Sequence, residues 1–203
     1  MEKLLLSEIA HCLNAECPEE KVITEISTDT RNLPAGCLFI AIKGERFDGH
    51  AFIKQAIENG AAAAVSEYPV DGCPCIVVKN TRTALLKLAK YYRSKFNPVL
   101  VGITGSVGKT TTKEMIALVL SEKYKTLKTQ GNLNNEIGLP KTLFNLDSSY
   151  QAAVIEMGMS DFGEIERLSN TAVPTIGVIT NIGFSHIENL SHSMRTSSHY
   201  CQN

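Results

Sequence analysis

The sequence predicts an α/β protein: a small amino-terminal α/β domain followed by an incomplete doubly wound parallel-sheet domain of the phosphate-loop type. Three observations predict it. Short β-prone apolar runs alternate with segments of helical period along the chain. After Pro98 the strand candidates 99–104, 152–156 and 175–180 become near-continuously apolar, as strands buried on both faces of a parallel sheet must be. A glycine-rich turn ending in Gly108-Lys109-Thr110 joins the first of these to a helix.

Taken in order, Leu5, Ile9, Cys12 and Leu13 recur at helical spacing. Runs at Val22-Ile23 and 37–42 read as strands, punctuated by Pro34-Ala35-Gly36. Phe52, Ile53, Ala56 and Ile57 mark a second helix, with Gly60 as its C-terminal cap. Runs 61–65 and 75–78 read as further short strands. A helix over 81–93 sets Leu85, Leu88, Ala89 and Tyr92 on one face. Polar residues ending in Asn97-Pro98 place a boundary near 94–98, which divides the chain into domains over 1–95 and 96–190. Beyond it, Met115, Ile116, Val119 and Leu120 are expected to be the buried face of the next helix. Residues 191–203 are rich in serine and histidine and read as a disordered tail that adds no packed layer. The second sheet therefore reads as unfinished.

Composition excludes several classes. The 203 residues include 20 basic and 21 acidic side chains, a net charge of −1, so no basic field points to nucleic acid. No apolar run reaches the ~20 residues of a membrane helix. The start has Leu4, Leu5 and Leu6 but then Glu8 and His11, unlike a secretion signal. A cytoplasmic, monomeric protein is expected, without membrane insertion. The 6 cysteines contain no C-x-x-C pair and read as reduced thiols rather than a metal site.

The strongest chemical signal is the stretch from Gly102 to Thr112. Gly105 and Gly108 let the backbone curl so that its N–H groups face phosphate oxygens, and the helix beginning near Lys109 adds its positive end. Lys109 supplies charge for the β- and γ-phosphates, and the Thr110 hydroxyl can ligate Mg²⁺. The general pattern wants glycine where Ile103 stands; the alternative is a tight turn that binds nothing. Glu156 ends the strand 152–156 and either holds Mg²⁺ or is simply solvated. His186, in the loop after 175–180, is a metal ligand, a phosphate contact or a solvated side chain. Asn134 and Asn135 offer uncharged donors and acceptors, or else turn the chain into the helix after Glu136. Two polar loops, Ser27-Thr28-Asp29-Thr30-Arg31 and 44–50, border apolar strands; Arg31 is either a bidentate phosphate grip or part of an ordinary turn.

Together and in this order, these segments resemble the Mur ligases of peptidoglycan synthesis. S-T-D-T-R…P-A-G-C-L-F-I-A-I-K-G-E-R-F-D-G-H is similar to their UDP-binding domain. T-G-S-V-G-K-T-T is similar to their phosphate loop, and T-N-I-G-F-S-H-I-E matches their T-N-x-x-x-x-H-x-E. N-L-N-N-E-I-G-L-P and V-I-E-M-G-M-S-D-F-G-E-I favour the member that joins D-alanyl-D-alanine to UDP-N-acetylmuramoyl-tripeptide. The runner-up is the member that adds one amino acid to the UDP-linked dipeptide. A non-catalytic nucleotide-binding remnant, or a phosphate-loop NTPase or kinase, are the readings from other classes.

The resemblance implies roles residue by residue. Gly105, Ser106, Val107, Gly108, Lys109, Thr110 and Thr111 would bind ATP phosphates, with Asn181 near the adenine. Thr110, Glu156 and His186 would serve Mg²⁺, and Lys109, Glu156 and His186 would be the catalytic set. Thr28, Asp29, Arg31, Asp48, Gly49 and His50 would contact the uridine diphosphate end of the substrate. Asn134 and Asn135 would face the nucleotide-sugar or phosphate region. The implied reaction passes the γ-phosphoryl of ATP to a carboxylate, and the amine of D-alanyl-D-alanine then attacks the acyl phosphate. Family members continue beyond H-x-E with a Gly-Ser-rich turn, a lysine-bearing helix and a further domain. Here Glu188-Asn189-Leu190 runs into S-H-S-M-R-T-S-S-H-Y-C-Q-N, so a truncated chain without ligase activity of its own is expected.

Overall fold

Residues 1–44 and 47–183 are described by the computed structural model, and the chain divides into two compact units between Tyr91 and Tyr92. In the first unit, β1 (Leu4–Leu5) pairs antiparallel with β2 (Val22–Ile23), and α1 (Leu6–Leu13) follows β1 directly. Strand alternation turns Leu4 inward and leaves Leu5 47% exposed, so Leu5 is not part of the helical stripe. The buried face is Leu6, Ile9, Ala10 and Leu13.

Four strands, β3 (Ile26–Ser27), β4 (Leu38–Ile40), β5 (Ala63–Ser66) and β6 (Cys75–Val77), form a parallel sheet in that order. β4 is shorter than the apolar run 37–42, although Cys37, Ala41 and Ile42 are buried as well. A 3-10 turn (Gly49–Phe52) leads into α2 (Ile53–Glu58); Phe52 belongs to the turn and is exposed. α2 closes where Gly60 is expected to close it. Gly60 N–H donates to Ile57 O (3.0 Å) and Ala61 N–H to Ala56 O (2.9 Å), the paired bonds of a Schellman ending. Phe39, Ala41, Ile53, Ala56 and Ala64 make the core between α2 and the sheet. α3 (Thr81–Ser94) buries Leu85, Leu88, Ala89 and Tyr92, the predicted stripe.

The second unit runs β7 (Val99–Thr104), α4 (Lys109–Ser121), β8 (Thr126–Lys128), α5 (Gly138–Leu143), β9 (Ala152–Glu156), α6 (Glu164–Ala172) and β10 (Ile176–Ile179). Its sheet has the order β10-β7-β9-β8, with every pairing parallel. Val101, Ile103 and Val154 pack on Ala117, Ile116 and Leu120 of α4. Alternation sends Leu100, Ala153 and Ile155, also buried, to the other face. Tyr92 lies fully buried, its hydroxyl donating to Leu146 O (2.7 Å) and its ring edge-on to Phe96 and Phe144. Arg93 closes the end of α6 by donating to Ala172 O and Val173 O.

Two expectations are corrected here. Met115 and Val119 are 64% and 71% exposed, and the sheet-facing residues of α4 are Lys113 and Ala117, with Ile116 and Leu120 partly buried. Ala117, Ile116 and Leu120 pack on Val101, Ile103 and Val154, and this rotation brings Thr110, at the exposed start of the helix, to Glu156. β10 is not a buried strand: among the described residues it is a sheet edge, and Ile176 and Ile179 are exposed. Among the described residues no helix is long and apolar enough to cross a membrane. The tail 191–203, and with it Cys201, lies outside the described residues, as do Glu45 and Arg46.

Candidate functional site

Strand order builds the site. β7 is flanked by β9 and β10, so the residues that end all three strands converge on the turn after Thr104. Glu156 lies in register with Ile103, and Ile179 with Thr104. The convergence sits beyond the carboxyl ends of parallel strands, where open α/β sheets bind ligands.

The loop that follows β7 needs glycine at 105. Its φ is +136°, and a Cβ there would collide with Thr180 Oγ1 and stand 3.0 Å from Asn181 N and O. The loop is lashed to the chain beyond β10. Asn181 Oδ1 accepts the amide of Val107 (2.9 Å), and Asn181 O accepts that of Ser106 (3.1 Å). Thr180 Oγ1 donates to Val107 O (2.6 Å), and the Ser106 hydroxyl donates to Gly183 O (3.1 Å). Asn181 thus braces the loop. α4 begins at Lys109, and the first-turn amides of a helix have no intrahelical acceptor, which leaves them to face an anion. The Lys109 ammonium lies back over the loop, donating to Gly105 O (2.7 Å).

Glu156 is only 2% exposed and is surrounded by donors. The Thr110 hydroxyl donates to Oε2 (3.0 Å), and Asn134 Nδ2 to Oε1 (2.9 Å). Its own amide donates to Thr129 Oγ1 (2.9 Å). Lys113 Nζ stands 3.8 Å from Oε2 and 3.2 Å from Glu114 Oε1. Lys113 and Thr129 are missed by motif reading; the available signal for Lys113 is its place one helical turn after Thr110. Asn135 does otherwise: its Oδ1 accepts the amides of Ile137 (3.1 Å) and Gly138 (2.8 Å) and so turns the chain into α5. Thr110 and Glu156 are hard oxygen donors of the kind Mg²⁺ takes from a protein, the rest of its shell coming from phosphates and water. The buried Thr104 hydroxyl, at the foot of the loop, has no hydrogen-bond partner among the described residues. His186 lies outside the described residues.

In the first unit, the two other predicted loops leave the carboxyl ends of β3 and β4. After β3, Asp29 accepts the Arg31 amide (3.0 Å) and, bidentately, the Arg31 guanidinium. The guanidinium is largely solvent-exposed, and the hydrogen bond and charge of Asp29 raise its pKa. Thr28 stands half-buried between Ser27 and Asp29. After β4, a Cβ on Gly49 would lie 2.8 Å from Ile42 O and 2.9 Å from Ile42 N, so only glycine permits the turn. The His50 side chain is 1% exposed and stacks on Tyr68. Its Nε2 accepts the amide of Glu67 (3.0 Å), which assigns the proton to Nδ1, donated to Asp48 Oδ1 (2.6 Å). The amide and ring of His50 hold the Asp48 carboxyl below its usual range. His50 therefore stitches the ends of β4 and β5 together, and Glu67 passes the tie on by accepting the Thr81 amide (3.0 Å) at the start of α3.

Comparison with known proteins follows this division. The family profile "Mur ligase middle domain" matches residues 103–198, and "Mur ligase family, catalytic domain" matches 22–93. UDP-N-acetylmuramoyl-tripeptide–D-alanyl-D-alanine ligase of Synechocystis sp. is 46% identical over 188 residues, covering 91% of this chain and 41% of that protein. A crystal structure of MurF from Acinetobacter baumannii superposes with a TM-score of 0.93 at 35% identity, over 98% of this chain and 46% of that one. MurF ligase from Thermotoga maritima in complex with ADP gives a TM-score of 0.81 at 36% identity, over 87% of this chain and 42% of that one. The chain thus spans less than half the length of these relatives.

Proposed function

This chain belongs to the Mur ligase family, and on that premise we propose that it carries the ATP site of an amide-forming ligase of peptidoglycan precursor synthesis. The reaction proposed for the whole enzyme is the joining of D-alanyl-D-alanine to UDP-N-acetylmuramoyl-tripeptide. The observation that carries the reading is the meeting of Thr110 and Glu156 at the mouth of the phosphate loop. The ADP complex of the Thermotoga maritima relative supports a nucleotide as the ligand.

The division of labour follows from the chemistry. A carboxylate repels nucleophiles, and phosphorylation turns it into an acyl donor with a good leaving group. The loop amides and the end of α4 hold the phosphates, and Lys109 offsets charge that builds on them. Thr110 and Glu156 would hold Mg²⁺, which neutralises phosphate charge when bound. Asn181 and Thr180 keep the loop in shape, Asn134 holds Glu156, and His186 is the further ligand the family resemblance implies. In the first unit, the loops bearing Thr28, Asp29, Arg31, Asp48 and Gly49 are proposed to meet the uridine diphosphate end. His50 would act there by fixing the loop of Asp48. The proposal includes a cytoplasmic monomer.

The test is an ATP titration by calorimetry with and without Mg²⁺. Binding that Mg²⁺ strengthens and that Lys109→Ala abolishes is expected; equal binding by that variant would show that the loop assignment is wrong.

A further inference from the structure

We infer that Lys113 is a positioning residue for Glu156, holding that carboxylate aimed at the place beside Thr110 where a cation would sit. The inference rests on the nucleotide reading above and extends it to a residue outside the phosphate-loop motif. Position 113 is on the sheet-facing side of α4, where Ala117 and Ile116 pack on Val101, Ile103 and Val154. An apolar side chain would suit that place. Instead an ammonium sits there with its side chain 2% exposed, and a buried cation is tolerated only when paired.

Two acids stand near it, and they differ in what they need. Glu114 is closer, at 3.2 Å, but its side chain is 48% exposed and it also pairs with Lys128, so water and a second cation already serve it. Glu156 is 3.8 Å away with its side chain 3% exposed, and among the described residues Lys113 is the cation paired with it. A pair shielded from water on both sides is screened far less than one that water reaches.

The geometry around Glu156 gives the pairing a task. Asn134 holds Oε1, and Thr110 holds Oε2 by donating its hydroxyl proton. The Thr110 hydroxyl spends its one proton on Oε2 and keeps its lone pairs, so it can face a divalent cation without releasing the carboxylate. Asn134 at Oε1 and Lys113 beside Oε2 keep the carboxylate oriented toward that ion. Thr110 and Lys113 are one turn apart on α4, so both reach the same carboxylate from one face. Lys113 acts through Glu156, as partners of a ligating carboxylate generally do.

The experiment titrates ATP, with and without Mg²⁺, into the wild-type chain, Lys113→Met and Lys113→Arg by calorimetry, with thermal unfolding of each run in parallel. Lys113→Met is expected to bind Mg²⁺-free ATP within about threefold of wild type and to lose about tenfold or more of the strengthening that Mg²⁺ gives; Lys113→Arg is expected to restore most of it. Full Mg²⁺ strengthening in a folded Lys113→Met overturns the positioning role and leaves the nucleotide reading standing. Equal losses with and without Mg²⁺ also overturn it, because they mark a mere strut between α4 and β9. Should Lys113→Met not fold, Lys113→Arg decides: retained strengthening supports the role, and a tenfold loss ends it. A wild-type chain that binds no ATP overturns the nucleotide reading, and this role with it.

Discussion

The Thr110 hydroxyl donates to Glu156 Oε2 across 3.0 Å, tying the first turn of α4 to the carboxyl end of β9. Glu156→Gln keeps an oxygen to accept this bond but removes the charge. The variant leaves buried Lys113 without its buried acid, so it is expected to unfold at a lower temperature than wild type and to lose about tenfold or more of the Mg²⁺-dependent part of ATP binding. Calorimetry with and without Mg²⁺ checks this, and an undiminished Mg²⁺ effect would put the cation elsewhere.

Gly105→Ala places a methyl group against Thr180 Oγ1 and Asn181, at a φ of +136°. Strain of this kind costs about 1–3 kcal/mol. A lower denaturation midpoint together with weakened ATP binding is expected. Adding Thr180→Ala should recover part of the stability, since it removes the collision but not the backbone strain. Urea unfolding of the single and double variants separates the two contributions.

Tyr92→Phe removes the donor to Leu146 O while keeping the ring against Phe96 and Phe144. The stranded buried carbonyl should cost about 1–3 kcal/mol, with the urea m-value unchanged because the exposed surface on unfolding is the same.

Asp48 gives a pH test with a definite sign. Its carboxyl accepts the amide and ring proton of His50, which holds its pKa below the ordinary 3.8. A depressed folded value means the stabilisation is complete above the ordinary value and fades as pH falls through the folded one. Asp48→Ala should therefore be less stable than wild type near neutrality, and the gap should close as the pH drops below 3.8. Equal gaps in acid and at neutrality would show that the His50 contacts do not depend on that charge.

The chain alone, matching 41% of the length of the Synechocystis relative, is expected to release no phosphate with ATP, UDP-N-acetylmuramoyl-tripeptide and D-alanyl-D-alanine. Turnover at ordinary enzyme rates in a phosphate-release assay would refute this.

What the sequence makes legible follows from how local each signal is. β7 and β9 are evident because strands buried on both faces must be apolar throughout. The loop and Glu156 are evident because their spacing is a local pattern at a strand end. β3 is not, since Ile26–Ser27 is held as a strand by pairing with β4 and is too short to show a period. The face of α4 is misread because Met115 and Val119 look like a core stripe, whereas the side that meets the sheet carries the small Ala117 and a buried Lys113, which do not read as core. His50 looks like a substrate contact beside an aspartate, and only the neighbourhood of β4 and β5 reveals a buried ring committed to Asp48 and Glu67. Lys113 and Thr129 escape for the same reason: their partner Glu156 is brought to them by strand order.

The alignment of Glu156 with Ile103 carries a consequence for folding quality. Side chains alternate across a sheet, so sliding β9 by a single residue along β7 would swing the acid to the opposite surface. A misaligned molecule could keep its helices and much of its greasy interior, yet it would have no anion waiting beside Thr110. Retention on an immobilised-nucleotide column in the presence of magnesium would then act as a proofreader, sorting correctly threaded molecules from shifted ones that circular dichroism would pass as native.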